Sequence, residues 1–264
     1  MHNADAATPS RSAGAGSQCR LEEEPDDRLA ARPASRFRLA LFLLGSLAAL
    51  LVSVAIACGD GDDLSTERQL LEQMILKPED IASGLERVTA SFSTNQDVAE
   101  GTLDPVQELA KLEGFTRQLG YEVTYQSGFN APADITIRAI NNTASLYRDA
   151  EGASASFADG VETARTTDWL ASHSDLDEVE VQEIPLEGIA DEAFWIRVSG
   201  LQGEDGSTLL MDDFLLLRQD RVRSFLRVVH LVEASSGREA AIQQVRDWAD
   251  RQAQLIEAAL ADSR

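Results

Sequence analysis

Between Leu39 and Cys58 the chain reads LALFLLGSLAALLVSVAIAC, about 20 residues without a charge. A run of that length and greasiness is what an α-helix needs to cross a bilayer. Arg28, Arg32, Arg36 and Arg38 stand before it, and Asp60, Asp62 and Asp63 follow it. Cationic flanks are held on the cytoplasmic side, so the order of charges predicts a chain threaded N-terminus in and C-terminus out. A helix buried in a globular core would carry a polar stripe, and here only Gly45, Ser46 and Ser53 interrupt the run. Residues 36–58 are therefore expected to form a signal or transmembrane helix. All that follows is expected on the extracytoplasmic side of the cell membrane.

The end of the run, Ala55-Ile56-Ala57-Cys58-Gly59, resembles the lipobox of bacterial membrane lipoproteins. That resemblance implies a lipidated Cys58 as the new N-terminus, followed by an acidic tether over 59–64. Ala55 stands where leucine is usual, and the run exceeds a typical signal core. An uncleaved transmembrane helix therefore stays open as the alternative. Residues 1–35, rich in Ala, Ser, Pro, Arg and acidic side chains, lack the apolar content to fold and are expected to be disordered. Cys19 within them is read as inert.

The remaining 200 or so residues are long enough to bury a core of their own without disulfides, and no cysteine lies beyond Cys58. The net charge of -22 is spread along the chain. Such a surface repels phosphates, which argues against a nucleic-acid partner. It also disfavours flat adsorption on anionic lipid, so membrane attachment falls to the lipid or helix anchor.

From Leu64 onward the pattern is mixed. Leu70, Leu71, Met74 and Ile75 predict a short helix halted at Lys77-Pro78. A strand is expected over Arg87–Ser93. Asp104-Pro105 is a helix start, with Leu109, Leu112 and Leu119 along one face and Gly120 as the stop. Strands are expected at Tyr121–Gln126 and Ile135–Ile140, then a long helix carrying Ala153, Phe157, Val161 and Ala164. Four more strands follow at Val179–Ile184, Phe194–Val198, Leu209–Leu217 and Val222–Val232, the last two joined by a tight turn at Gln219-Asp220. Their apolar residues fall on both faces, as in strands covered on each side. Ala241, Val245, Trp248, Leu255 and Ala259 stripe a closing helix. The expected fold is α+β, an antiparallel sheet flanked by helices, over 65–264.

Three stretches carry a further resemblance: Lys77-Pro78-Glu79-Asp80-Ile81, Leu146-Tyr147 with the alanine-rich helix behind it, and Gly188-Ile189-Ala190-Asp191-Glu192-Ala193-Phe194. Together they loosely resemble uncharacterised exported PsbP-like proteins of GC-rich bacteria. The resemblance brings a sandwich-like fold and no activity.

Catalytic and metal-binding patterns are sparse. His173 and His230 lack nearby cysteine partners, and each reads as a surface or sheet histidine, so no metal site is expected. The tether Asp60-Gly61-Asp62-Asp63 has oxygen donors without the loop of a calcium site. No G-x-S-x-G elbow, P-loop or dinucleotide fingerprint occurs, and no cofactor is expected. Asp212-Asp213 invites a carboxylate-pair reading. Strand neighbours point to opposite faces, however, so at most one is expected to face inward. Asp175, Asp177, Glu178, Glu180 and Glu183 read as a solvated sheet edge. Arg218, Arg221, Arg223 and Arg227 form the one basic concentration. Arg221, Arg223 and Arg227 share strand parity and are candidates for an acidic-ligand site, against pairing with neighbouring acidic strands. Trp169, Trp195 and Trp248 read as packing residues. These observations favour a membrane-anchored, non-enzymatic ligand- or partner-binding domain. Two alternatives are a cell-envelope hydrolase using Asp212 or Asp213, and a single-pass signalling subunit contacting a partner through residues 1–35.

Overall fold

The computed structural model describes residues 63–263, apart from 82–83, 129–135, 204–205 and 234. The apolar run, both cysteines, residues 1–35 and Asp60–Asp62 lie outside these. Thirteen elements follow in order: α1 (Asp63–Gln73), β1 (Leu85–Ser93), α2 (Asn95–Glu100), α3 (Pro105–Gly114), β2 (Arg117–Ser127), β3 (Ile137–Tyr147), α4 (Ala150–Thr166), α5 (Trp169–Ser172), β4 (Asp177–Glu183), β5 (Glu192–Gln202), β6 (Thr208–Gln219), β7 (Val222–Glu233) and α6 (Arg238–Asp262). The strands form one seven-stranded sheet in the order β1-β2-β3-β7-β6-β5-β4, every neighbouring pair antiparallel. The fold is α+β. Among the described residues no helix is long and apolar enough to cross a membrane.

The helix starts follow from their capping residues. Asp104 accepts from the backbone N–H of Gln107 at 3.1 Å, with Pro105 supplying the first turn. Asp149 caps α4 by accepting from Gly152 N at 2.8 Å. The α3 helix stops at Gly114, earlier than the stop read at Gly120. Thr116 takes a positive φ of 59° to turn the chain, and Leu119 and Gly120 then belong to β2. The β3 strand also runs further than expected, through Asn141-Asn142-Thr143 to Tyr147. The helix α1 opens at Asp63, within the stretch assigned to the tether.

The two faces of the sheet differ. On one, α1 and α6 cover the main core, in which Leu71, Met74, Ile140, Leu215, Leu226, Val228 and Ile256 are essentially sealed. Each such aliphatic side chain contributes about 1.5–3 kcal/mol on burial. The turn after α1 leaves carbonyls without intrahelical donors, and the core supplies them. Gln252 Nε2 donates to Met74 O at 2.6 Å and Tyr125 OH to Leu76 O at 2.9 Å. Asn142 Oδ1 accepts from Leu76 N at 2.8 Å. That bond explains why a buried Asn sits mid-strand. On the other face, α4 packs Phe157 against Phe194, Ile196 and Leu216, with Val161, Trp169, Phe214 and Phe225 around them.

Candidate functional site

Register decides where the chemistry goes. Phe214 lies opposite Arg227, and Arg218 opposite Arg223, so the even-numbered residues of β6 and odd-numbered residues of β7 share the α4 face. Asp212 therefore faces α4 and α5, and Asp213 faces α6. The expectation that at most one aspartate turns inward is corrected: Asp212 is 2% and Asp213 0% exposed. Helices cover β6 on both sides, so both directions are inward.

Each carboxylate is gripped by an arginine through two hydrogen bonds. Arg227 Nε and Nη2 reach Asp212 at 2.9 and 2.6 Å. Arg197 Nε and Nη2 reach Asp213 at 2.7 and 3.0 Å, and Trp195 Nε1 adds a third bond at 2.7 Å. Each guanidinium also lies over an aromatic ring, Arg227 over Phe214 and Arg197 over Trp195, both at 5.1 Å. A histidine completes each cluster. His173 Nε2 lies 3.4 Å from Asp212, and His230 Nδ1 lies 3.8 Å from Asp213. His173 is thus no free surface residue. His230 is fully buried in β7, stacked beside Trp248, and its Nε2 reaches Gln244 at 3.4 Å.

The electrostatics of the α4-side cluster are mutual. The hydrogen bond that His173 makes to Asp212 raises the His173 pKa; burial opposes it, the Trp169 carbonyl adds to it, and Arg227 subtracts. Burial works against the Arg227 charge, yet the hydrogen bonds and charge of Asp212 outweigh burial and raise its pKa. A pair of carboxylates acting on one bond cannot be assembled from Asp212 and Asp213, which lie on opposite sides of the sheet.

The three candidate arginines do not form one row. Arg221 occupies the β6–β7 turn, where its carbonyl accepts from Tyr147 N at 2.9 Å. Arg223 and Arg227 project from β7 on the same face. Arg223 Nη1 donates to Ser156 Oγ at 3.1 Å beneath α4. Gly160 makes room for it, because a Cβ there would stand 2.7 Å from Arg223 Nη2. Arg218 pairs with Asp191 at 3.0 Å and with Glu192. Pairing with acidic neighbours accounts for Arg218 and Arg227.

Among the described residues no helix packs over the β1–β3 part of the α4 face that carries the following side chains. Thr89 of β1, Glu122 and Thr124 of β2, and Asn141 and Thr143 of β3 are half-buried, and Ser91 of β1 is exposed. Their register aligns them into rows that run on to Arg227 and Phe225. Asn141 Nδ2 donates to Glu122 Oε1 at 2.6 Å, and Thr143 Oγ1 to Asn141 Oδ1 at 3.3 Å. The result is a lattice of oriented donors and acceptors bounded on one side by Arg227. Sequence reading passed over it, although the alternation of Thr, Glu, Asn and Thr with apolar residues in β2 and β3 was the signal.

Elsewhere among the described residues, polar groups lining a groove are engaged within the fold. A groove of about 690 Å³ is lined by Asp80, Thr136, Gln243, Gln244, Asp247 and Trp248 among others. Asp80 there already binds Arg251 at 2.7 Å, and Asp247 accepts from Gln243 at 2.7 Å. All three tryptophan N–H groups are bonded inside the fold: Trp169 to Ala164 O, Trp195 to Asp213 and Trp248 to Asp80 O. The acidic residues of β4 line a sheet edge, with Glu183 and Glu180 held by Arg165 and Arg238. Among the described residues no three His, Cys, Asp or Glu side chains are grouped to hold a metal ion.

No family model matches the chain, and no curated protein matches it. Among solved structures it is similar to the crystal structure of the extracellular domain of PknH from Mycobacterium tuberculosis. The TM-score is 0.40 and the identity 10%, over 69% of this chain and 96% of that one.

Proposed function

We propose that this chain is a membrane-anchored protein whose folded part stands outside the cytoplasmic membrane and binds a ligand or protein partner without turning it over. The observation that carries the binding reading is the uncovered polar lattice of Glu122, Thr124, Asn141 and Thr143 beside Arg227. These groups are fixed in position by the sheet, so a partner need not order them on binding. Both buried aspartates are held by arginines, which leaves them structural rather than reactive. The anchor rests on the uncharged run and its arginine and aspartate flanks. In the lipoprotein form of the proposal Cys58 carries the lipid; in the other, residues 36–58 remain as a helix.

Two measurements test it. The intact mass of membrane-extracted protein separates acylated, shortened protein from full-length chain, and a freely soluble cytoplasmic protein would overturn the placement. Photo-crosslinking in intact cells tests the face. A photoreactive residue replacing Thr124 or Asn141 is expected to trap an envelope component, while one replacing the exposed Glu257 on α6 is not. Equal labelling from all three positions would overturn the assignment of the binding face.

A further inference from the structure

His173 follows α5 directly, and its ring is held at both ends. Nδ1 lies 3.1 Å from the Trp169 carbonyl oxygen and 3.0 Å from Ser172 Oγ. Ser172 Oγ itself donates to the same carbonyl at 3.0 Å. A carbonyl accepts only, so the Trp169 oxygen calls for a proton on Nδ1, and Ser172 Oγ then faces the ring as an acceptor while its own hydrogen meets the same carbonyl. With acceptors on both of its contacts, Nδ1 carries a proton. At the other end Nε2 meets Asp212 Oδ2, an oxygen of the carboxylate that Arg227 grips. That oxygen accepts as well. A neutral imidazole has one N–H and can serve only one end; the imidazolium serves both.

We propose that His173 is a proton-operated clamp, which ties the Asp168–His173 turn to β6 while both ring nitrogens are protonated and loosens that turn when the Nε2 proton leaves. Beyond the clamp the turn has contacts of its own, among them the Trp169 Nε1 bond to Ala164 O at 2.7 Å. Asp168 caps α5 by accepting from Ala171 N at 3.1 Å, and Trp169 rests on Phe214 with ring centroids 4.5 Å apart. Loosening it uncovers Phe214 and the Asp212–Arg227 pair, next to the open polar lattice. The charged groups acting on the ring are Asp212 from β6, which favours its charge, and Arg227 from β7, which disfavours it. Its own segment contributes the Trp169 carbonyl and the Ser172 hydroxyl. The net displacement of the His173 pKa is upward. The clamp is therefore complete below the ordinary histidine value and is lost as pH rises through the raised folded value.

The test uses the full chain in detergent micelles. Exchange of the histidine C2 hydrogen, read by mass spectrometry, gives the titration of His173. Amide exchange of residues 168–173, normalised to the unstructured rate at each pH, gives the opening of the turn. Wild-type protein is expected to titrate above free histidine, and its turn to open more as pH rises. The opening grows tenfold for each unit that separates the folded titration from that of the opened turn. His173→Gln keeps an N–H directed at Asp212 without titrating, so its turn should stay closed and indifferent to pH. His173→Ala should be open throughout. A His173 titration at or below the ordinary value would overturn the clamp. So would equal opening on both sides of the titration, or a His173→Gln protein with the wild-type pH response.

Discussion

Asp212 and Asp213 are adjacent in β6, yet their carboxylates lie on opposite faces of the sheet, each gripped by its own arginine. The two pairs differ in their access to water. The Arg197 and Asp213 side chains are 2% and 0% exposed, whereas Arg227 is 34% exposed over a buried Asp212. Removing one partner of a sealed pair strands a charge in a low-dielectric interior, and that penalty is larger than the pair's own net contribution.

Replacing one member of the sealed pair, by Arg197→Met or Asp213→Leu, is expected to cost about 3–5 kcal/mol. Replacing both together should cost clearly less than the sum. Urea denaturation of the four proteins measures the coupling.

The exposed pair should be more forgiving. Arg227→Gln is expected to cost about 1–3 kcal/mol, because His173 still faces the Asp212 carboxylate. It also removes the cation that holds the His173 pKa down, so the His173 titration should move upward. Histidine C2-hydrogen exchange in the variant checks the direction.

Stability should carry a histidine signature. The His173 pKa is raised in the folded state, so its contribution is full below the ordinary histidine value and falls away as pH rises through the folded one. Denaturation midpoints across that window should decline in wild-type protein relative to His173→Ala.

Two glycines should respond oppositely to a methyl group. A Cβ on Gly152 would meet the Phe115 carbonyl at 2.1 Å, whereas one on Gly114 meets nothing within 4 Å. Gly152→Ala is expected to destabilise by about 1–3 kcal/mol, and Gly114→Ala to be neutral or mildly stabilising. Thermal unfolding distinguishes them.

Trp248→Phe keeps the aromatic volume but leaves the Asp80 carbonyl, which it now binds at 3.0 Å, without that donor. A loss of about 1–3 kcal/mol is expected. Faster amide exchange across residues 77–81 would accompany it.

Much of the fold was legible because hydrophobic alternation is local. Leu209–Leu217 and Val222–Val232 declare themselves as paired strands, and Asp104-Pro105 announces a helix. The errors fall where tertiary partners override local preference. The strand expected to end at Ile140 continues through Asn141-Asn142-Thr143, where Asn142 is buried to bind Leu76 N and the open-face residues bond one another. Gly120 looks like a helix stop but lies in β2 between Ser93 and Ser145. The clusters on β6 were half visible. Strand parity separates Asp212 from Asp213, but the expectation of at most one inward carboxylate missed that β6, apolar on both faces, is covered on each. No local signal joins His173 to Asp212, 39 positions away. That contact depends on how α5 folds back over the sheet.

The strand order has a consequence for how the chain assembles as it is made. β1 to β3 form one meander and β4 to β7 another, and the only seam between them is β3 against β7, the last strand in the sequence. The first meander must therefore wait with the backbone edge of β3 unsatisfied until more than seventy further residues have emerged, a stretch fixed by the positions of Tyr147 and Val222. A chain severed between α4 and β4 would leave two meanders, each holding half of that seam and half of the core that α1, α4 and α6 close across it. Such halves are natural candidates for reassembly from separate polypeptides.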